Sequence, residues 1–211
     1  TKSVNIVCDN AIDDYTRQRA LTVLSEHGFT GTVASTESKT LSNIYLGVGG
    51  TNGLAKAAAT KLGLDLSVHT KSGKFDRHVL SLTDAANGVA QLIIIGENTD
   101  ATFMGLASLE QMLDATTTAM PTVTISDYAD LKERGIIEGF YGKPYSCEVR
   151  KDLLRFMMRN KMNCYVYGPK SDVYHSGKWA EAYPTELTES QRKSGFVTQQ
   201  DLREFTSVAH Q

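Results

Sequence analysis

Three stretches of this chain carry residue types that can do chemistry. Asp13-Asp14 sets two carboxylates side by side, and Gly47-Val-Gly-Gly-Thr-Asn-Gly53 has the glycine density that lets backbone amides surround an anion. The third is Arg134-Gly-Ile-Ile-Glu-Gly-Phe-Tyr-Gly-Lys-Pro-Tyr-Ser146, followed by Asn163-Cys-Tyr-Val-Tyr-Gly-Pro-Lys170. Adjacent carboxylates can share acid–base work, but ahead of a periodic apolar stretch their usual task is to satisfy free helix amides and oppose the macrodipole. The glycine run has Asn52 where G-x-G-x-x-G needs its third glycine, and no Gly-Lys-Ser/Thr follows. A strand-to-helix turn is its favoured reading, with nucleotide binding a distant alternative. The third stretch is richer: Gly139 and Gly142 allow close backbone approach to a ligand, Phe140, Tyr141 and Tyr145 offer flat faces for a sugar ring, and Lys170 supplies an ammonium donor.

The elements that hold these residues follow from periodicity. Short Val-, Ile-, Leu- and Tyr-rich runs at 4–8, 43–48, 78–82 and 92–96 predict strands, and they alternate with helical patterns, as in a sheet covered by helices. Asp13 opens a helix that stops at Gly28. A second helix covers 54–62, and Asn98-Thr-Asp100 caps a third, whose broad apolar face predicts substantial burial. Residues 115–121 read as a loop, 123–125 as a strand and 127–130 as a polar connection. From Arg134 the pattern is strand, turn, helix, strand. Ser146 caps a helix with Val149, Leu153, Phe156 and Met157 at spacings of three and four, and Arg159 and Lys161 stand near its negative end. The expected fold is thus α/β, with an N-terminal sandwich-like α/β domain over 1–126 and the first βα units of a truncated (β/α)8 barrel over 127–211. In such a barrel the C-terminal ends of successive strands converge on the active site, which would make Gly139 and Lys170 neighbours. The bland alternatives are turn glycines, a solvated lysine, and a Glu138 paired with Arg134.

Composition excludes several classes of partner. Lys plus Arg number 22 against 24 Asp plus Glu, so there is no positive excess to track a phosphate backbone, and nucleic acid is not an expected partner. The apolar run 91–96 is far shorter than the roughly 20 residues that span a bilayer. Cys8, Cys147 and Cys164 lack CxxC spacing and read as buried free thiols, and no His pairs with a partner at ligand spacing, so neither metal nor cofactor is expected.

The motifs R-G-I-I-E-G-F-Y-G-x-P and, one βα unit later, N-K-M-N-x-Y-x-Y-x-P-K resemble glycoside hydrolase family 84, the O-GlcNAcase and bacterial hyaluronidase-type β-N-acetylglucosaminidases. The stretch from Leu92 to Asp127 resembles the end of the domain that precedes these barrels. The resemblance implies that Gly139 gives a backbone contact to N-acetylglucosamine in the −1 subsite, that Lys170 hydrogen-bonds the same sugar, and that Tyr141 lines the pocket; His175 fits the Y-H that follows the lysine. It further implies substrate-assisted retaining hydrolysis, N-acetylglucosamine-containing glycans as partners, and a secreted or extracytoplasmic bacterial setting. Two positions depart from the family pattern: Tyr145 replaces a tryptophan, and Ser171 replaces the first aspartate of P-K-D-D. The family's catalytic Asp-Asp pair ends the fourth barrel strand, and no such pair occurs after Lys170. About 80 residues run from Arg134 to Gln211, against about 250 for a whole barrel. The expectation is an inactive, self-associating piece of an enzyme; the alternative is a non-catalytic carbohydrate-binding or scaffold module.

Overall fold

The computed structural model describes residues 2–84, 88–116, 119–139 and 142–211. These fall into two units, Thr1–Lys132 and Glu133–Gln211. The first contains β1 (Lys2–Cys8), α1 (Asp14–Glu26), β2 (Phe29–Ala34), β3 (Ser42–Val48), α2 (Leu54–Lys61), β4 (Phe75–Thr83), β5 (Gln91–Gly96), α3 (Thr99–Ala115) and β6 (Val123–Ala129). A single sheet runs in the order β2-β1-β3-β5-β4-β6. Its first four strands are parallel, and β4 lies antiparallel between β5 and β6.

Both faces of this sheet are covered, which is why its central strands read as unbroken apolar runs. Ile6, Leu46, Leu80 and Ile94 pack on one side with Ala20, Val23 and Leu24 of α1 and Leu106 and Leu109 of α3. The alternate residues Val7, Tyr45, Val79, Ile93 and Ile95 pack on the other with Ala55 and Ala59 of α2 and with Val68. Helices α1 and α3 are tied by a buried ion pair, Arg19 to Glu110, and by His27 Nε2 to the Asp114 carboxylate at 2.9 Å.

Asp13 is a cap: its side chain accepts from Thr16 N–H at 2.8 Å, while Asp14 pairs with Arg17 on the surface. Two expectations need correction. Strand β2 escapes the periodicity reading because its inward face offers only Phe29 and Gly31 to the core while Thr30, Thr32 and Val33 are exposed, so no apolar alternation marks it and its backbone pairing with β1 defines it. Residues 127–129, expected as polar connection, continue β6, because pairing with β4 resumes at Phe75 and Ala129 beyond an irregularity in register. All three cysteines are free, and they are half-buried rather than buried; burial pushes the Cys8 thiol up to about 11.

The glycine-rich turn is explained by a carboxylate. Asp9 follows β1 directly, is 5% exposed, and accepts from Ala55 N–H at 3.1 Å, so it caps α2 from another element while the position that normally caps is Gly53. A Cβ on Gly53 would lie 2.2 Å from Asp9 Cγ, and one on Gly47 would lie 2.5 Å from Asp9 Oδ2. The anion that these amides face is therefore the chain's own, and a nucleotide phosphate would confront it. Burial raises the Asp9 carboxyl above its ordinary range, and the amides of Ala55, Leu54 and Lys56 offset only part of that. Gly53→Ala should accordingly cost about 1–3 kcal/mol in urea unfolding. Asp9→Asn, which keeps an acceptor and removes the buried charge, should cost less than Asp9→Ala, and the Gly53→Ala penalty should shrink in an Asp9→Ala background. Equal and additive penalties would contradict the capping geometry.

Candidate functional site

The second unit begins with β7 (Gly135–Ile137), α4 (Cys147–Arg159) and β8 (Cys164–Val166). It continues with α5 (Val173–Ser176), α6 (Glu189–Lys193) and α7 (Gln199–His210). The two strands pair in parallel, Gly135 with Cys164 through Ile137 with Val166, and Glu138 N–H extends the ladder to Val166 O at 2.9 Å. A parallel pair joined by a helix delivers both C-terminal ends to one edge. Gly139 stands one residue past that last bond and Lys170 four residues past β8, so the expected sugar contacts follow two strand ends that lie side by side. Tyr141, with Phe140, lies outside the described residues.

The faces of this ribbon have separate jobs. Ile136 and Tyr165 point toward the helices and pack with Leu154, Met157 and Phe205. Side chains alternate along a strand, so Ile137 and Val166 point the other way, where they are 68% and 44% exposed. Carried forward by the same period, Gly139 and Gly168 fall on the Ile137 side, and among the described residues a Cβ built on Gly139 meets nothing within 4 Å.

Glu138 falls on the helix side and is 3% exposed. Its partner is Arg150 of α4, not Arg134: Arg150 Nε and Nη2 donate to the two carboxylate oxygens at 2.8 and 2.7 Å. Arg134 instead donates from Nε to Lys161 O at 2.9 Å. Tyr165 OH donates to Glu138 Oε2 at 2.8 Å, and Tyr145 N–H reaches Oε1 at 3.3 Å. Burial pushes the Glu138 carboxyl up, but the Arg150 fork, the Tyr165 hydroxyl and the Tyr145 amide outweigh it and hold the group below its ordinary 4.5. The apolar spacing misjudged which face of α4 turns inward. Val149 and Phe156 are 42% and 52% exposed, and the buried stripe is Arg150, Leu154 and Met157, set by the need to reach Glu138.

A second carboxylate organises the loop after β8. Asp172, buried, caps α5 by accepting from Tyr174 N–H and His175 N–H at 3.0 and 3.3 Å. Its Oδ2 accepts from Tyr167 OH at 2.5 Å and Tyr183 OH at 2.9 Å. Burial and the adjacent carboxylate push both phenols well above their ordinary range. Asp172 N–H closes a turn on Pro169 O at 3.0 Å, with exposed Lys170 inside it. Sequence reasoning passed over Arg150, Tyr167, Asp172 and Tyr183. A charged residue lying one turn before Leu154 on the apolar stripe was the signal available for Arg150.

Among the described residues no cluster of His, Cys, Asp and Glu is arranged to hold a metal, and no helix is long and apolar enough to cross a membrane. A family profile described as beta-N-acetylglucosaminidase matches residues 134–195. Rat and mouse proteins named Protein O-GlcNAcase are each 44% identical over 55 residues, which is 26% of this chain and 6% of theirs. The solved structure of CpGH84D is 32% identical with a TM-score of 0.81, covering 98% of this chain and 32% of that one. For CpGH84B the values are 26% and 0.66, covering 99% and 31%. The chain thus spans about a third of these solved relatives and a small part of the curated ones.

The depressed Glu138 carboxyl gives a pH dependence with a definite sign. Because its folded value lies below 4.5, the pair's contribution is complete above that pH and is lost as pH falls through the folded value. Protection factors of the 133–211 amides, taken relative to the intrinsic exchange rate at each pH, should fall in that acid window. Glu138→Gln should abolish this dependence and cost about 3–5 kcal/mol at neutral pH by leaving Arg150 uncompensated; an unchanged acid limb in the variant would contradict the assignment.

Proposed function

We infer, from a chain that is a glycoside hydrolase family 84 β-N-acetylglucosaminidase-like protein, that it is part of a retaining hydrolase that removes terminal N-acetylglucosamine from glycoconjugates. The observation that supports this reading is the parallel β7–β8 pair inside the profile-matched residues, whose adjacent C-terminal ends lead into Gly139 and Lys170. Gly139 offers an exposed backbone and Lys170 an exposed side chain, and together they suit the hydroxyls and ring of one hexose in a −1 subsite. Tyr141 is assigned to the pocket wall on its sequence position alone. We take 1–132 as an N-terminal α/β domain and 133–211 as the opening of a (β/α)8 catalytic domain, the division falling after β6 rather than at 126.

The chemistry proposed is substrate-assisted. The sugar's own 2-acetamido carbonyl attacks the anomeric carbon, one carboxyl group orients the acetamide, and a second protonates the leaving oxygen and then deprotonates water. Within 127–211 the residues present bind and orient; they include no adjacent aspartate pair for the acid–base work. Asp13-Asp14 is engaged at the start of α1 in the other unit. The same observation favours a second reading, in which the chain binds a sugar without cleaving it.

The 211-residue chain should show no turnover of an aryl N-acetylglucosaminide, while an extension of its reading frame that supplies an adjacent aspartate pair should restore it. Turnover by the 211-residue chain itself would refute this division of labour. The exposed Ile137 and Val166, beside strand edges that in the described residues pair only with each other, should also drive association. Light scattering at rising concentration should show a dimer or larger species, and a monodisperse monomer would count against it.

A further inference from the structure

Arg150 is 1% exposed, yet it makes contacts toward both strand ends. On one side its fork holds Glu138, the residue before Gly139, and the same carboxylate accepts Tyr145 N–H, so the neck of the 139–145 loop is tied at a single group. On the other side the guanidinium lies over the Tyr167 ring, 5.0 Å from its centroid. Tyr167 OH holds Asp172, and Asp172 closes the turn that carries Lys170. One planar cation therefore connects both loops through two carboxylates. Lysine could not replace it, because an ammonium is a point charge that cannot fork to two oxygens and stack on a ring at once.

We propose that Arg150 is the shared positioning residue of the sugar subsite, setting Gly139 through Glu138 and Lys170 through Tyr167 and Asp172. The proposal rests on the reading of Gly139 and Lys170 as sugar contacts. Stability alone does not account for the arrangement, since a buried ion pair is commonly matched or exceeded by apolar residues of similar volume. What such residues do not supply is direction: neither Gly139 nor the Lys170 turn would have a fixed anchor.

The test uses the 211-residue chain and free N-acetylglucosamine, with binding followed by NMR shifts at the Gly139 amide and the Lys170 side chain. Glu138→Met/Arg150→Leu/Tyr165→Phe replaces the network with apolar volume and should keep its urea midpoint while losing sugar affinity by about tenfold or more. Arg150→Lys and Tyr167→Phe give the same readout by smaller changes should the triple variant not fold. Leu154→Ala, which weakens the core without touching the network, should leave affinity unchanged, as should Arg155→Met on the exposed side of α4. The proposal is overturned if folded network variants bind like the parent, or if Leu154→Ala loses as much affinity as they do. Absence of any shift in the parent chain overturns the sugar-site reading itself, and this proposal with it.

Discussion

The second unit depends on taking a carboxylate and a guanidinium out of water together. Glu138 and Arg150 are almost fully buried in a unit whose apolar core is small, centred on Leu154, Met157 and Phe205. Desolvating two charges is expensive, and it is tolerated only when geometry is good and the remaining lone pairs are satisfied. Both conditions hold for Glu138, whose two oxygens take the fork, a phenol and a backbone amide. The face of α4 that turns inward, the side of the ribbon that meets the helices, and the neck of the loop beyond β7 all follow from that single contact.

The first unit uses a related device with the opposite electrostatic outcome. Asp9, like Glu138, is the residue immediately after a parallel strand, and each donates its own N–H to a neighbouring strand, Asp9 to Leu46 O and Glu138 to Val166 O, both at 2.9 Å. Asp9 then turns its carboxylate toward the start of α2, and Glu138 toward Arg150 of α4. Asp9 meets backbone amides, which carry only partial charge, and burial prevails, so its carboxyl is raised. Glu138 meets a full cation, and its carboxyl is lowered. The partner, rather than the depth of burial, decides the sign.

What could be read from the sequence divides along the same physical line. Central strands, covered on both faces, announce themselves as apolar runs, and capping residues such as Asp13, Asn98 and Ser146 mark helix starts by local chemistry. The glycine turn was legible as a turn but not as a carboxylate pocket, because Asp9 lies some forty residues earlier in the chain. Strand β2 and the end of β6 were hidden because edge strands are defined by pairing, which has no local signature. At the candidate site, motif text singles out Gly139 and Lys170. Arg150 and Asp172 were not, since a buried charge looks like a surface charge until its partner is known, and Arg134 was the nearer candidate for Glu138.

The two units also differ in what their side chains must preserve. A sheet held by Ile, Val and Leu on two faces keeps its shape under many exchanges of apolar residues, because burial is non-directional and volume is what must be conserved. A loop neck held by a fork, a phenol and one amide has no such freedom, since each donor must meet a particular lone pair. The loop neck of the second unit is therefore constrained donor by donor, where the sheet of the first is constrained by volume. The strand-end edge bearing Gly139 and Lys170 lies in the constrained part. That is where recognition of a small polar ligand demands fixed geometry, and where we place it.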